Sequence, residues 1–223
     1  MKRHSRTFPL VLALLRFRRW LANYLVVLFG NLRRADQFFM ILSALLIGSI
    51  AAMGAIGFRF LIKLAHRGFF QTWDYSTDLV FTMPWWMRLL LPALGGLVVG
   101  PIVHYVAGEV RGSGIPEVME SVATRGGIIR PRVILAKTAA AALTIGSGGS
   151  AGREGPIVQI GSAIGSAYGQ LISVSPRRLR TFVACGAAAG IAATFNAPIA
   201  GALFAVEVII GDFAVSQFSA IVI

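Results

Sequence analysis

Four stretches of this chain contain no Asp, Glu, Lys or Arg: residues 38–58, 89–108, 155–176 and 181–206. Each is close to or longer than the roughly 18–20 residues that an α-helix needs to cross a bilayer. Only 13% of the residues are charged, about half of what a soluble domain carries. A buried α-helical core of this size would need amphipathic helices to cover it, and few are present. The expectation is an all-α, multi-pass integral membrane protein.

The net charge of +12 would point to nucleic acid in a soluble protein. Its distribution points elsewhere. Lys2, Arg3, Arg6, Arg16, Arg18, Arg19, Arg33 and Arg34 precede the first long apolar stretch with no acid among them. Such a cluster places the N-terminus in the cytoplasm and draws it to anionic headgroups. Residues 1–35 therefore read as a basic cytoplasmic or interfacial arm, with no nucleic-acid partner. The apolar run 8–15 is too short, and too quickly followed by arginines, for a cleaved signal. The single Cys185 excludes an internal disulfide framework and reads as a small packing residue.

The first span is expected over residues 37–66, with Asp36 as cap. Its Gly48, Ala51, Ala52, Gly54, Ala55 and Gly57 would allow close helix approach. Residues 71–84 read as a polar loop flanked by interfacial Trp73, Trp85 and Trp86. A second span is expected over 87–107, with Gly95, Gly96 and Gly100 as contact points. Three shorter helices follow: 115–124, 130–145 and 154–172. Residues 176–180 read as a basic link into a helix over 181–193, and another helix runs from Pro198 to about Asp212.

Three of these helices begin with the same chemistry. Peptide N–H groups at a helix start are unpaired and partly positive, and glycines before the start let an anion approach the backbone. Proline in the first turn gives up no hydrogen bond. Gly112-Ser113-Gly114-Ile115-Pro116 combines all of this with a hydroxyl donor. Gly152-Arg153-Glu154-Gly155-Pro156 and Asn196-Ala197-Pro198 repeat it. Aimed at one centre, these starts would hold a small dehydrated anion weakly enough to release it. A carboxylate at membrane depth marks a functional site by default. Glu154 at its helix start would compete with the anion and leave on protonation, which makes it a candidate gate.

Other chemistries find little support. The glycine run before Arg153 lacks the Lys-Ser/Thr of a phosphate-binding loop. His4, His66 and His104 lie far apart with no metal-ligand spacing, and His104 reads as a packing residue. Neither Ser113 nor Ser147 has an evident histidine base, so no catalytic residues and no cofactor are expected. Glu117 and Glu120 share a helix face and read as solvated or paired with Arg125. Arg153 reads as snorkelling to headgroups, pairing with Glu154 or touching the ion.

Taken together, Gly112-Ser113-Gly114-Ile115-Pro116-Glu117, Gly152-Arg153-Glu154-Gly155-Pro156 and Gly186-Ala187-Ala188-Ala189-Gly190 with Phe195-Asn196-Ala197-Pro198-Ile199-Ala200-Gly201 resemble the CLC family of chloride channels and proton/chloride antiporters. The resemblance covers residues 36–223. It implies a broken-helix membrane fold of two inverted repeats, of which 36–223 is the first, and a homodimer with one pore per subunit. By motif, it makes Ser113 a ligand of the central chloride, within a turn formed by Gly112, Gly114, Ile115 and Pro116. It makes Glu154 the gating glutamate, in a turn shaped by Gly152, Arg153, Gly155 and Pro156. Serine at 113 resembles chloride-selective members, where nitrate-preferring relatives carry proline. Antiporters of the family commonly have two glutamates where this chain has Glu207 and Val208. The implied function is a chloride channel of a bacterial-type inner or plasma membrane, with a proton/chloride antiporter as runner-up. A non-conducting assembly or regulatory membrane protein is the alternative of a different class. The family's later Gly-x-Phe-x-Pro turn and pore tyrosine are absent, so the expectation is the N-terminal half of a longer protein.

Overall fold

The computed structural model of the protein describes residues 36–73, 77–105, 112–211 and 221–222. The arm over 1–35, Glu109, and the stretch from Asp212 to 220 lie outside the described residues. Those that are described form helices and no strand, as the charge-free stretches require. In order these are α1 (Asp36–Phe70), α2 (Thr77–Thr82), α3 (Trp85–Tyr105), α4 (Ile115–Thr124), α5 (Arg132–Gly146), α6 (Glu154–Leu171), α7 (Pro176–Phe195) and α8 (Pro198–Phe204), which passes into a π-helical turn, Ala205–Ile210.

Two of them are long and apolar enough to cross a bilayer, α1 over Phe38–Phe70 and α3 over Trp85–His104, with mean hydropathies of 2.3 and 1.7. α1 continues a turn beyond the expected 66, because Ala65 and His66 pack against Gly146 and His66 stacks on Phe70. The other charge-free stretches are interior elements: α6 and α7 are buried along most of their length.

Small residues set the centre of the fold. α6 and α7 run antiparallel in near backbone contact, so that a Cβ on Gly161 would strike the Gly186 carbonyl and one on Gly186 the Gly161 carbonyl. Gly165 lies against the Phe182 carbonyl and Gly190 against Ile157 in the same register. Between apolar helices in lipid, close packing replaces the hydrophobic drive of water, and only small side chains permit it. Cys185 is buried in this core, as expected. One half of α1 lies on α7, through Phe39 against Phe182 and Gly48 against Ala189. The other half packs Ala55, Phe58 and Ile62 on α5 and α6.

The expected link 176–180 is instead the first turn of α7. Pro176 sits at the helix start, where its missing N–H had no partner, and Arg177 to Arg180 continue the helix. α7 ends at Asn196, in the left-handed conformation that asparagine tolerates. Of the expected contact glycines on α3, only Gly95 meets a neighbour, Ser147. Gly96 and Gly100 have no atom within 4 Å of a would-be Cβ. Gly57 on α1 is equally open. Periodicity marks which residues are small but not which face receives a partner.

The loop between α4 and α5 is tied to α6. Ser166 Oγ donates to the Gly127 carbonyl at 2.6 Å and accepts from the Ile129 N–H at 2.8 Å, while Gln170 donates to the Ile129 carbonyl at 2.9 Å. These bonds hold the end of α4 against the C-terminal half of α6.

Candidate functional site

The start of α4 needs its glycines. Gly112 and Gly114 have φ of 85° and 101°, a region costly for any residue with a Cβ. Between them Ser113 is exposed, and its hydroxyl has no partner among the described residues. The Gly114 N–H donates to Glu117 at 2.9 Å. Glu117 therefore caps its own helix and is not merely solvated. Glu120 pairs with Arg125 at 2.9 Å, as the sequence suggested.

The start of α6 touches that of α4. A Cβ on Gly155 would collide with the Ser113 carbonyl, and one on Gly114 would lie 2.7 Å from the Gly155 carbonyl. Two helix N-termini from separate motifs thus meet backbone to backbone. A cavity of about 480 Å3 opens beside them, lined by Gly112, Ser113, Ile115, Gly152, Glu154, Gly155 and Pro156 among others. Pro116 is exposed on the first turn of α4. The Glu154 carboxylate curls back over Gly152, where an added Cβ would meet it.

Arg153 does not pair with Glu154. Its guanidinium lies over the Phe195 ring, 5.5 Å from the centroid, which ties the Glu154 turn to the end of α7.

Lys137 was not singled out by its sequence, yet it is 4% exposed and lines the same cavity. Its Nζ donates to the Gly112 carbonyl at 2.8 Å. A signal did exist: Lys137 is the one charged residue between Arg132 and Arg153, on an apolar helix. The rule that selects Glu154 selects it equally. It puts a positive charge beside the Ser113 turn, held there by its hydrogen bond to the Gly112 carbonyl.

The third helix start does not join the other two. Pro198 lines a separate cavity with Gly48, Ala52, Cys185 and Ala189. α8 has seven residues, packed by Gly201 onto the Ala188 carbonyl. Glu207 is exposed in the π-helical turn, and Val208 lines a further cavity with Met119, Glu120, Arg177 and Arg180. Met119 and Glu120 lie at the middle of α4, and this cavity shares no lining residue with the Ser113–Glu154 cavity. His104 is exposed, not a core packing residue. His66 is the buried histidine, with Nδ1 3.3 Å from the Thr72 carbonyl. Among the described residues no cluster of three potential metal ligands occurs.

Residues 95–223 match the family model described as voltage gated chloride channel. A ClcB-like chloride channel protein of Ralstonia nicotianae is 39% identical over 181 residues, which cover 77% of this chain and 41% of that protein. The voltage-gated ClC-type chloride channel ClcB of Escherichia coli is 32% identical over 191 residues, covering 84% of this chain and 45% of that one. The crystal structure of a slow cyanobacterial Cl-/H+ antiporter superposes with a TM-score of 0.65 at 26% identity, over 82% of this chain and 44% of that one. That of a eukaryotic CLC transporter gives 0.66 at 22%, over 82% and 35%, a likeness of fold. The chain spans less than half the length of each of these proteins.

Proposed function

Because the chain belongs to the voltage-gated chloride channel (CLC) family, a family of membrane transporters and not enzymes, we propose that it supplies one wall of a chloride pathway in a glutamate-gated channel. The observation that carries this reading is the meeting of the α4 and α6 starts at one cavity, with Ser113 and Glu154 both on its lining. Two helix N-termini offer unpaired N–H groups and partial positive charge, Ser113 adds a hydroxyl, and Lys137 adds a fixed positive field. The one full charge, Lys137, is engaged by the Gly112 carbonyl and the others are partial, which suits an ion that must leave as readily as it enters. Gly112, Gly114, Ile115 and Gly155 bring backbone to the ion, while Gly152, Arg153, Pro116 and Pro156 hold the two turns. Glu154 competes for the same space as an anion and yields when protonated. No cofactor is needed; chloride is the cargo. The protein works as a homodimer in a bacterial inner membrane with the N-terminus cytoplasmic.

The Cl-/H+ antiporter among the similar structures favours a second reading, coupled exchange. Val208, in place of a second glutamate after Glu207, favours passive flow.

Chloride efflux from vesicles holding the reconstituted full-length protein, with pH recorded at the same time, tests both. Efflux without stoichiometric proton uptake is expected. Coupled proton uptake replaces the channel with the antiporter, and no efflux at all favours a non-conducting assembly protein.

A further inference from the structure

A second electropositive cavity, of about 360 Å3, is lined by Arg59, Ile62, Lys63, Ile145 and Arg153. Three cations face it, and among the described residues no carboxylate does. Arg59 and Lys63 lie four residues apart on α1, hence on one helix face, and Arg153 reaches it from the turn before α6. All three are exposed, and the Arg153 guanidinium also lies over the Phe195 ring, 5.5 Å from its centroid. We propose that these residues form a binding site for a phosphate group, supplied by the headgroup of an anionic phospholipid.

Depth and shape support a lipid source. From Phe38 to Arg59 the helix rises about 32 Å at 1.5 Å per residue, close to the roughly 30 Å hydrocarbon thickness. Arg59 and Lys63 then stand at headgroup level, on the side opposite the start of α1. One turn below on the same face is Ile56, 62% exposed, and Met53 beside it is 72% exposed, an apolar track for an acyl chain. Ile62 and Ile145 give the cavity apolar walls. Guanidinium forks match the several oxygens of a phosphate better than a single halide.

The test is native mass spectrometry of the delipidated protein, given phosphatidylglycerol or phosphatidylcholine in mixed micelles. Wild type should retain phosphatidylglycerol in preference, and each cation removed should weaken that preference about fivefold. Arg59→Gln/Lys63→Gln should therefore abolish most of it. Arg67→Gln, whose guanidinium lies over Trp73 at 4.5 Å outside this cavity, should leave it intact. Thermal unfolding of each variant confirms that the fold is kept, since the replaced side chains are exposed. Excess inorganic phosphate should displace the lipid from wild type. An unchanged preference in the double variant overturns the site. Binding of free phosphate with no lipid preference overturns the lipid source. Displacement by chloride as effective as by phosphate, at equal ionic strength, overturns phosphate selectivity. Each readout is binding, so a failure here is distinct from a failure of chloride flux.

Discussion

The Ser113 carbonyl lies so close to Gly155 that no side chain fits at position 155. The obstacle is backbone, which cannot swing aside as the tip of a long side chain can. Glycine at 155 is thus a condition for the two helix starts to meet, not a loop convenience.

Gly155→Ala should force the α4 and α6 starts apart. Overpacking of this type destabilises by about 1–3 kcal/mol, and the proposed ion cavity would lose its shape with it. Thermal unfolding and chloride efflux measured together should both fall. Gly96→Ala is the matched control, since nothing lies within 4 Å of its Cβ. It should stay within about 1 kcal/mol of wild type or gain slightly in helix propensity. Equal effects of the two substitutions would mean that the Ser113–Gly155 contact does not organise the site.

Lys137→Met keeps length and apolar stem but removes the donor to the Gly112 carbonyl. A hydrogen bond from a charged group contributes about 1.5–3 kcal/mol, so the Ser113 turn should loosen. The positive field beside the cavity is lost as well. Chloride affinity, read by calorimetry, should weaken, whereas Lys137→Arg should recover part of it. Wild-type affinity in Lys137→Met would leave this residue a purely structural role.

Lys137 also shows what a linear sequence conveys and what it hides. The bounds of α4, the restart at Glu154 and the burial of Cys185 were legible, because glycine, proline and small-residue patterns act locally. The partner of each face was not. Gly95 and Gly96 are adjacent and identical, yet only Gly95 meets Ser147. The Asn196-Ala197-Pro198 start has the same local chemistry as the other two and faces a different cavity, because α7 carries it to the α1 side of the fold. Lys137 was missed because its partner, Gly112, is 25 residues away and reached only through the α4–α5 turn. Glu117 resembled a surface carboxylate because the strained Gly114 that it caps shows no strain in one dimension.

Ser113→Pro removes a hydroxyl donor and a backbone N–H together from the turn between two positive-φ glycines. A small ion such as chloride depends on both donors, whereas a larger, more weakly hydrated anion loses less. The flux ratio of nitrate to chloride, read from bi-ionic reversal potentials or anion-specific electrodes, should rise. An unaltered ratio would detach Ser113 from the ion.

Glu154→Gln tests the proposed gate most directly. The charged carboxylate is taken to occupy the anion's place at the α6 start, and the neutral acid to vacate it. The sign follows: wild-type flux should increase as pH falls, since protonation empties the site. Glutamine has the shape of the protonated acid and cannot ionise, so the variant should stay near the acid-side rate at every pH. Most of the pH dependence should vanish, with unfolding temperature little changed, because Glu154 is exposed and lies on a cavity wall. Chloride efflux measured across a pH series in both proteins decides the matter. A Glu154→Gln profile that keeps the wild-type slope would place the titrating group elsewhere, with Glu207 the next carboxylate to replace.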